Sequence, residues 1–429
     1  MYDLDWLYGR QNWKIGLEAI RALLTGLGNP QTSFKSVLIG GTNGKGSTAA
    51  TLASILTAAG HKTGLFTSPH LTRFTERFRC DGVEISEDDV QKLLDEIGPH
   101  AERLGASFFE IVTALACLHF RNSGVKFAVM EVGLGGRLDA TNALDPEISI
   151  ITHIAHDHTH ILGHTLTEIA REKAGIMRQN RLCLTSATGE ACKEIERIAQ
   201  QKESKLWCIG REIQVSAEAR GRAGWDMAVT VEKEKEKQTI RCNSPLLGKH
   251  QVENTALAVS AALALGVSGE AIVQGTQKTS WSGRLEFISW RGKTLLLDGA
   301  HNPSGIQMLI EGLQNLDIPF PPLIFGASAD KDLSEMGNLL RPHVKTVILT
   351  QAEFSSRAKP ASEIVPFFPD ARIFIARNPR AALEQLWQIT KHLNTPESPV
   401  GVVAGSLYLI GEVRGILKSQ SLERRLRTQ

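Results

Sequence analysis

The 429-residue chain lacks the compositional signs of a specialised protein class. Its 48 Lys and Arg residues nearly equal its 46 Asp and Glu residues, so no strong net charge would attract nucleic acid or an anionic membrane. With 42% hydrophobic and 22% charged residues, disordered, collagen-like and coiled-coil architectures are excluded. At roughly 150 residues per domain, a chain of this length is expected to form two or three domains. We therefore expect neither a nucleic-acid nor a membrane partner.

The six cysteines include no CxxC pair, so the sequence predicts neither a zinc site nor a disulfide framework. Reduced thiols in a cytoplasmic setting are expected instead. Residues 1–6 are acidic and lack the apolar core of an export signal. One of the longest uncharged stretches, residues 254–269, is too short and too rich in small residues to span a bilayer. No export signal or membrane anchor is expected.

Short apolar runs alternate with helical patterns along most of the chain, which favours parallel sheets covered by helices. Strands are predicted at 36–40, 127–130, 147–152, 294–297, 323–325, 344–349, 372–375 and 400–404. Helices are predicted at 47–59, 252–265, 305–316 and 380–389. Between the two series, residues 204–242 have the pattern of strand segments, and their charge run 232–237 is predicted to be a solvated hairpin. Residues 275–283 are a candidate hinge, which places a domain boundary near residue 282.

The strongest motif is GTNGKGS at residues 41–47, between an apolar run and a helical pattern. Glycines let main-chain N–H groups surround phosphate oxygens, the helix N-terminus adds positive potential, and Lys45 would neutralise β- and γ-phosphates. Position 39 is Ile, and Gly46 separates Lys45 from Ser47, so the loop is a variant of the GxxxxGK[ST] pattern. A nucleotide-phosphate site is therefore predicted here.

A nucleotide requires Mg²⁺, and Glu131 ends the apolar strand 127–130, where ligands of open α/β sheets gather. Glu131 is therefore the natural first metal ligand. Gly133, Gly135 and Gly136 follow it and would let a ligand approach closely, although ordinary turn chemistry explains them equally well.

Five histidines follow the next strand within twelve residues, at positions 153, 156, 158, 160 and 164. No cysteine accompanies them, which argues against zinc. One imidazole can serve as a metal or phosphate ligand while the others are solvated or cap main-chain groups. For any single histidine, the solvated alternative is the more common one.

Lys173 lies on the predicted buried face of a helix that Thr165 and Glu168 open as a capping box. A desolvated lysine loses its proton more easily, and the neutral amine can add carbon dioxide to give an anionic carbamate able to hold a second Mg²⁺. The alternative is that the ammonium group reaches the surface along its aliphatic stem.

Three short polar segments contain glycines in the second half of the chain, at residues 248–254, 282–286 and 297–303. Asp298 follows a predicted strand and could accept ribose hydroxyls, while Arg284 at the hinge could reach phosphate. A helix cap for Asp298 and a surface ion pair for Arg284 are the alternatives. Two sheets meeting across a nucleotide would place the active site in the cleft between domains.

Taken together, these motifs resemble the dihydrofolate synthase/folylpolyglutamate synthase family of the Mur ligase superfamily. The motifs that carry the resemblance are residues 41–47, 67–71, 131–142, 157–158, 172–176, 250–254, 283–284, 298–303 and 405–408. The resemblance implies an α/β protein with an N-terminal P-loop ATPase-like parallel-sheet domain, residues 1–282, and a C-terminal Rossmann-like domain, residues 283–429.

The resemblance further implies a MgATP-dependent ligase of folate biosynthesis and one-carbon metabolism, which joins L-glutamate to dihydropteroate and to reduced folates through an acyl phosphate. It implies ATP binding by Asn43, Gly44, Lys45, Gly46, Ser47, Asn254, Arg284, Asp298 and His301. It implies two Mg²⁺ sites, with Ser68, Glu131, His158 and carbamylated Lys173 as ligands, and K⁺ as a further candidate cofactor. A monomer is expected.

For the pteridine substrate, the resemblance implies binding by Ser107, Phe108, Phe109, Glu110, Leu138, Asp139 and Ala140. Phe109 could stack on a flat heterocycle, and the Asp139 carboxylate could accept two N–H bonds from its aminopyrimidine edge. A phenylalanine pair belonging to the hydrophobic core is the alternative.

Three other functions stay open at the level of sequence. A monofunctional folylpolyglutamate synthase would share almost every motif, whereas a peptidoglycan Mur ligase should lack the pteridine-binding segments. A nucleotide-dependent switch would leave the second sheet, Lys173 and Asp298 unexplained. Domain closure about residues 275–285 would exclude water from the acyl phosphate.

Overall fold

The first half of the chain forms an eight-stranded, mostly parallel sheet, as the alternation of strands and helices predicts. The structure is a computed structural model that describes residues 2–10, 16–233, 236–393 and 398–427. The strands of this sheet are β1 Lys35–Gly40, β2 Thr63–Phe66, β3 Phe78–Cys80, β4 Val83–Glu84, β5 Phe127–Glu131, β6 Ile148–Ile151, β7 Leu182–Thr185 and β8 Lys205–Cys208. Their order is β4-β3-β2-β5-β1-β6-β7-β8, and only β3 and β4 run antiparallel to their neighbours.

The second and third sheets follow in chain order. An antiparallel ribbon contains β9 Ile213–Ala219, β10 Trp225–Lys233 and β11 Glu236–Ser244. The third sheet contains β12 Glu286–Trp290, β13 Lys293–Leu297, β14 Leu323–Phe325, β15 Thr346–Leu349, β16 Arg372–Ile375 and β17 Gly401–Ala404. Its order is β12-β13-β17-β14-β15-β16, parallel except for β12. The predicted α/β class with two sheet-bearing halves is thus confirmed.

Helices cover both large sheets. Their bounds are α1 Leu4–Tyr8, α2 Glu18–Gly26, α3 Lys45–Ala58, α4 Glu87–Leu104, α5 Phe108–Asn122, α6 Thr159–Leu162, α7 Leu166–Ala174, α8 Gly189–Gln201, α9 His250–Ala264, α10 Gly269–Gln277, α11 Pro303–Asn315, α12 Leu333–Leu340, α13 Ala361–Ile364, α14 Pro379–Thr390 and α15 Leu407–Arg427. Apolar side chains pack on both faces of the first sheet, one core around α5 and the other around α3 and α9. In the described residues, no helix combines the length and apolar character needed to cross a bilayer.

The charge run at 232–237 belongs to the β10–β11 hairpin, as predicted. Glu232 and Lys237 are exposed and form an ion pair at 2.8 Å. Residues 234 and 235 of the run lie outside the described residues.

The predicted hinge at 275–283 needs a correction at its start. Residues 275–277 are the last turn of α10, and Gly275 packs directly on α3. A Cβ atom at Gly275 would lie 2.3 Å from the Cα atom of Ile55, so the glycine is explained by close helix packing and not by hinge motion. Only the segment after α10 is left to act as the connection to the third sheet.

The strand order decides where functional side chains meet. The central strands β5, β1 and β6 are neighbours, so Glu131, the loop 41–47 and the histidine segment emerge at one edge of the first sheet. In the third sheet, β13, β17 and β14 are neighbours in the same way. The segments that follow these strands form the opposite wall of the site.

Candidate active site between the two sheets

The loop 41–47 is held in shape by its own main chain. Gly44 precedes α3 with φ of 93°, a region that favours glycine, and a Cβ atom there would lie 2.2 Å from Oδ1 of Asn254. The Lys45 ammonium folds back and donates to the carbonyls of Gly41 and Thr42, each at 3.1 Å. Helix α3 begins at Lys45, two residues before the predicted start. The loop therefore presents N–H groups, a helix N-terminus and one cation to a single cavity.

Two buried oxygens beside this loop suit a magnesium ion. The hydroxyl of Ser47 is buried, and no residue that the structure describes gives it a hydrogen-bond partner. Glu131 is also buried, and one of its carboxylate oxygens accepts the N–H of Ser68 at 2.9 Å. Burial raises the pKa of Glu131, and the positive charge of Lys45 opposes that rise. Oxygen ligands at the end of a strand, next to a phosphate loop, fit Mg²⁺.

Lys173 is buried in α7, so the alternative that it reaches the surface is wrong. Its side chain is only 4% exposed, and its ammonium donates to the carbonyl of Gly41 at 2.8 Å. Burial, with the nearby positive charge of Lys45, lowers the pKa of Lys173 to about 7. The predicted capping box of Thr165 and Glu168 at the start of this helix is present. A large share of these amines is therefore neutral near pH 7 and able to act as a nucleophile.

The histidines separate into half-buried and exposed groups. His158 lines the cavity and lies 3.8 Å from carboxylate oxygens of both Asp157 and Asp330. His153 contacts the hydroxyl of Ser304 at 3.3 Å. The other three imidazoles, at 156, 160 and 164, are exposed. Burial and the charge of Lys331 lower the pKa of His158 to about 4, so its imidazole is neutral at pH 7 and can be a metal ligand.

A group of charged and polar residues joins the two halves of the chain at this point. We call it the Asp157 cluster, and its members are Asp157, His158, His301, Asn302, Asp330 and Lys331. Asp157 accepts from the ammonium of Lys331 at 2.6 Å and from the amide of Asn302 at 3.0 Å. Burial alone would raise the pKa of Asp157, but the positive charge of Lys331 holds it well below its usual range.

Asp330 and Lys331 were not predicted from the sequence. They follow β14 by a few residues, and a search for polar side chains beyond each predicted strand end would have found them. Arg357 pairs with Asp330 at 2.8 Å and brings a further cation to the cluster. The C-terminal wall of the site therefore contributes two cations, Lys331 and Arg357, each of which already pairs with a carboxylate of the cluster.

Of the nucleotide ligands predicted in the second half, Arg284, Asp298 and His301 line the cavity and Asn254 does not. Asp298 follows β13, and its two oxygens accept the N–H groups of Leu285 and Ala300, each at 2.9 Å. Arg284 lines the same cavity and donates to the carbonyl of Gly283. Asp298 therefore holds the connecting segment in place, and the alternative that it caps the next helix is wrong, because Asn302 is the N-cap of α11 and accepts the N–H of Gly305 at 2.7 Å.

Asn254 and Gln251 approach the loop from the first turns of α9. Asn254 donates to the side-chain oxygen of Gln251 at 2.9 Å. The Gln251 amide nitrogen is buried and has no acceptor among the described residues, although Gln251 lines the cavity. A buried donor facing a cavity suits a ligand acceptor. Burial lowers the pKa of His301 to about 4, with Lys331 acting in the same direction.

A second cavity, which we call the acceptor cavity, lies beside the first. All seven residues predicted for the pteridine line it, namely Ser107, Phe108, Phe109, Glu110, Leu138, Asp139 and Ala140. The two cavities share Ser68, Pro69, Gly133, Leu134, Gly135, Leu162, His158, His301 and Leu407. A group bound in the acceptor cavity can therefore reach the phosphate loop.

The polar members of the acceptor cavity are mostly used by the fold itself. Glu110 accepts the N–H of Ser107 at 2.8 Å and its hydroxyl at 2.7 Å, a capping box that starts α5. Phe109 packs against Gly133, where a Cβ atom would lie 2.4 Å from its ring. Phe108 stacks on Tyr8 with ring centroids 5.5 Å apart. The two phenylalanines are half-buried, so they belong to both the core and the cavity wall.

The predicted use of Asp139 needs a correction. Its Oδ1 atom already accepts the N–H of Thr141 at 3.0 Å and its hydroxyl at 2.6 Å, and Oδ2 accepts the N–H of Leu134 at 2.9 Å. A carboxylate oxygen has two lone pairs, so Oδ1 has no capacity left. Asp139 therefore cannot offer both oxygens to an aminopyrimidine, and its first task is to hold this loop.

Comparison with known proteins gives matches along both halves of the chain. Residues 39–262 match the family described as Mur ligase middle domain, and residues 283–405 match the one described as Mur ligase, glutamate ligase domain. The chain is 33% identical over 433 residues to the dihydrofolate synthase/folylpolyglutamate synthase of Bacillus subtilis, covering 96% of this chain and 98% of that one.

A probable bifunctional folylpolyglutamate synthase/dihydropteroate synthase of Haloferax volcanii is 35% identical over 94% of this chain, which spans only 48% of that longer protein. Among solved structures, one similar chain is a bifunctional folylpolyglutamate synthase/dihydrofolate synthase with Mn, AMPPNP and L-glutamate bound. It is 30% identical, covers 97% of both chains and superposes with a TM-score of 0.83.

Proposed function

The chain belongs to the Mur ligase family, in its dihydrofolate synthase/folylpolyglutamate synthase branch, and we propose that it joins L-glutamate both to dihydropteroate and to reduced folates. It is an ATP-dependent carboxylate–amine ligase by that membership. The observation that carries the proposal is the continuity of the two cavities, because an acyl phosphate forms only where a carboxylate meets the γ-phosphate.

The phosphate side of the reaction would use the loop 41–47. Its main-chain N–H groups and Lys45 would hold the β- and γ-phosphates, with Arg284 and His301 nearby. Ser47, Ser68, Glu131 and His158 are the residues that would hold Mg²⁺. The ion would offset the charge that develops on the transferring phosphoryl group. Asn254, Gln251 and Asp298 lie where they would support the remainder of the nucleotide.

Carbamylation of Lys173 fits its buried and partly neutral amine. The neutral amine nitrogen attacks carbon dioxide and releases one proton, so the charge of the side chain changes from zero to −1. The resulting carbamate would be a further oxygen ligand on the Glu131 side of the loop and would make a second Mg²⁺ site. K⁺ stays a candidate without residues assigned to it.

The incoming glutamate brings two carboxylates and an amine to the same place. We propose that the cationic wall of Lys331 and Arg357, with the hydroxyl of Ser406, receives its carboxylates. His301 is held by a contact of 2.7 Å between its Nδ1 atom and the carbonyl of Gly299, which leaves Nε2 as the acceptor. Nε2 lies 3.7 Å from Asp157, so His301 is a candidate base for the glutamate amine.

The decisive test is mass spectrometry of products formed from MgATP and glutamate, with dihydropteroate in one tube and tetrahydrofolate in another. Products heavier by one glutamyl residue in both tubes would support the bifunctional proposal. Product only from tetrahydrofolate would leave a monofunctional folylpolyglutamate synthase. ADP release without an acceptor would instead favour a nucleotide switch.

The peptidoglycan Mur ligase alternative is tested by the same assay with a muramyl-peptide acceptor. The half-buried Phe108 and Phe109 on the wall of the acceptor cavity favour a flat heterocycle over a peptide.

We further propose a monomeric state, a cytoplasmic location and a domain boundary near residue 282. The six cysteines are free thiols, which suits a reducing compartment.

A further inference from the structure

Arg77 is a buried cation with an unusual set of neighbours. It ends the 3₁₀ turn Phe74–Arg77 and is only 6% exposed. Its Nε atom donates to Nδ1 of His70 at 2.9 Å. The guanidinium carbon lies 5.8 Å from the ring centre of Phe74 and 5.5 Å from that of Phe108.

None of these neighbours carries a negative charge. Burial, together with the charge of Arg77, lowers the pKa of His70 to about 3, so the imidazole is neutral. No carboxylate in the described residues forms an ion pair with Arg77, whereas Arg73, on the same turn, makes a bidentate contact with Glu84 at 2.9 and 3.0 Å. A buried guanidinium without a counter-ion is costly, which indicates that an anion from outside the chain completes the site.

The position of Arg77 shows where such an anion would come from. Arg77 lines the acceptor cavity and also a larger cavity beyond it, which we call the outer cavity. The outer cavity is further lined by Tyr8, Arg10, Phe354, Arg380 and Gly411. Phe354 is 89% exposed and stands at its rim. Arg77, Phe108, Phe109 and Tyr408 line both cavities, so the space is continuous from the phosphate loop outwards.

The two acceptors of the proposed reaction differ in negative charge. Dihydropteroate has one carboxylate, and that carboxylate reacts. Each γ-linked glutamyl residue of a folate adds an α-carboxylate that does not react. Because new residues are added at the end that faces the phosphate loop, the older part of the acceptor has to lie outwards, past Arg77.

We propose that Arg77 binds an α-carboxylate of the γ-glutamyl tail of a folate, and that the outer cavity receives the older part of the tail and its pteridine. This inference rests on the proposed function. The planar guanidinium keeps two nitrogens beyond the one that bonds His70, which is the geometry that pairs with a carboxylate. Arg77 would thus distinguish folate extension from dihydropteroate ligation.

The first experiment compares acceptors in Arg77→Met and Arg77→Lys proteins. We expect the ratio of kcat/KM for tetrahydrofolate to kcat/KM for dihydropteroate to fall by about 10- to 100-fold in Arg77→Met, mainly through KM, since a hydrogen-bonded charge pair contributes that much. Arg77→Lys should recover part of the ratio. Arg73→Met is the matched control, because Arg73 already has Glu84 as partner, and its ratio should stay that of the wild type.

An equal loss with both acceptors would overturn the proposal and make Arg77 a structural residue. An unchanged ratio would also overturn it. Wild-type protein that forms no product from either acceptor would instead refute the proposed function, so the two failures are distinguishable.

A second experiment needs no substitution in the protein. Calorimetry without ATP compares tetrahydrofolate with its analogue in which the α-carboxylate is a carboxamide. We expect the wild type to bind the amide about 10- to 100-fold more weakly and Arg77→Met to bind both ligands equally. Equal affinities in the wild type would overturn the proposal even if Arg77→Met does not fold.

Discussion

The phosphate loop and the Asp157 cluster hold their charged groups in opposite ways. The Lys45 ammonium is fixed by two carbonyls of its own loop, three and four residues away in sequence. Asp157 is fixed by Asn302 and Lys331, which lie 145 and 174 residues away and belong to the other sheet-bearing half. The first arrangement exists within one half of the chain, whereas the second exists only while the two halves are in contact.

This difference indicates which part of the site is already formed before the substrates bind. The loop has its shape before phosphate arrives, because its own main chain and the start of α3 hold it beside the cavity. The Asp157 cluster brings Lys331, which we propose to bind glutamate, to the loop. Disruption of the loop should therefore abolish phosphoryl transfer. Disruption of the cluster should leave the loop intact but misplace the C-terminal half of the site.

The largest effect is expected from Lys45→Met. Loss of the cation that would face the β- and γ-phosphates should lower kcat/KM by about 10³-fold, because nothing else on the loop offsets that charge. Product formation with dihydropteroate measures it. Lys62→Met is the control, since this exposed lysine pairs only loosely with Asp81 at 3.9 Å, and it should retain full activity. Equal activities would contradict the phosphate role.

Lys173→Arg comes next, with an expected loss of about 10²- to 10³-fold in kcat. Arginine keeps a positive charge but cannot form a carbamate at neutral pH. Native mass spectrometry of the wild type should show the mass of one added carbon dioxide, absent from the variant and reduced after bicarbonate is removed. An active Lys173→Arg protein would exclude the carbamate.

Breaking the Asp157 cluster should have an intermediate effect. Asp157→Asn and Lys331→Met should each lower kcat/KM by about 10- to 100-fold through misplacement of the C-terminal wall, and the double variant should lose little more than the worse single variant. Steady-state kinetics of the four proteins completes this cycle. Additive losses would show that the two residues act independently.

Acid should loosen the cluster. His158 and His301 both have a pKa of about 4 in the folded protein, against an ordinary value of 6.5. Above pH 6.5 both are neutral in folded and unfolded chains; below it, the unfolded chain binds protons first. The free energy of unfolding should therefore fall as the pH drops from 6.5 towards 4, by up to about 1.4 kcal/mol per pH unit for each histidine.

Urea unfolding at pH 7, 6 and 5 measures this slope. His158→Gln should show a smaller slope than the wild type. Identical slopes would mean that the two imidazoles do not couple stability to pH.

The smallest effect is expected from the exposed imidazoles. His160→Gln with His164→Gln should change kcat/KM less than 2-fold and the free energy of unfolding by less than about 0.5 kcal/mol, because both side chains are solvated. Activity and thermal unfolding measure it. A large loss would add these residues to the metal site.

The residues that the sequence predicted well are those whose role depends on local geometry. The loop 41–47, Glu131 at the end of β5 and the burial of Lys173 all follow from strand ends, glycines and helix periodicity. Strand ends could have indicated Asp330 and Lys331, but not their contacts with His158 and Asp157, because those residues are far away in sequence. The saturation of Asp139 by Leu134 and Thr141 could not be predicted either, since only a folded loop shows which donors reach a carboxylate.

The continuity of the acceptor and outer cavities has a kinetic consequence under the proposed function. A closed pocket would force each lengthened product to leave before its new γ-carboxylate could react. An open channel lets the product slide outwards by one residue and present its new end to the phosphate loop without dissociating. The enzyme would then work processively, and a chase with unlabelled folate would leave labelled chains of several added glutamates instead of one.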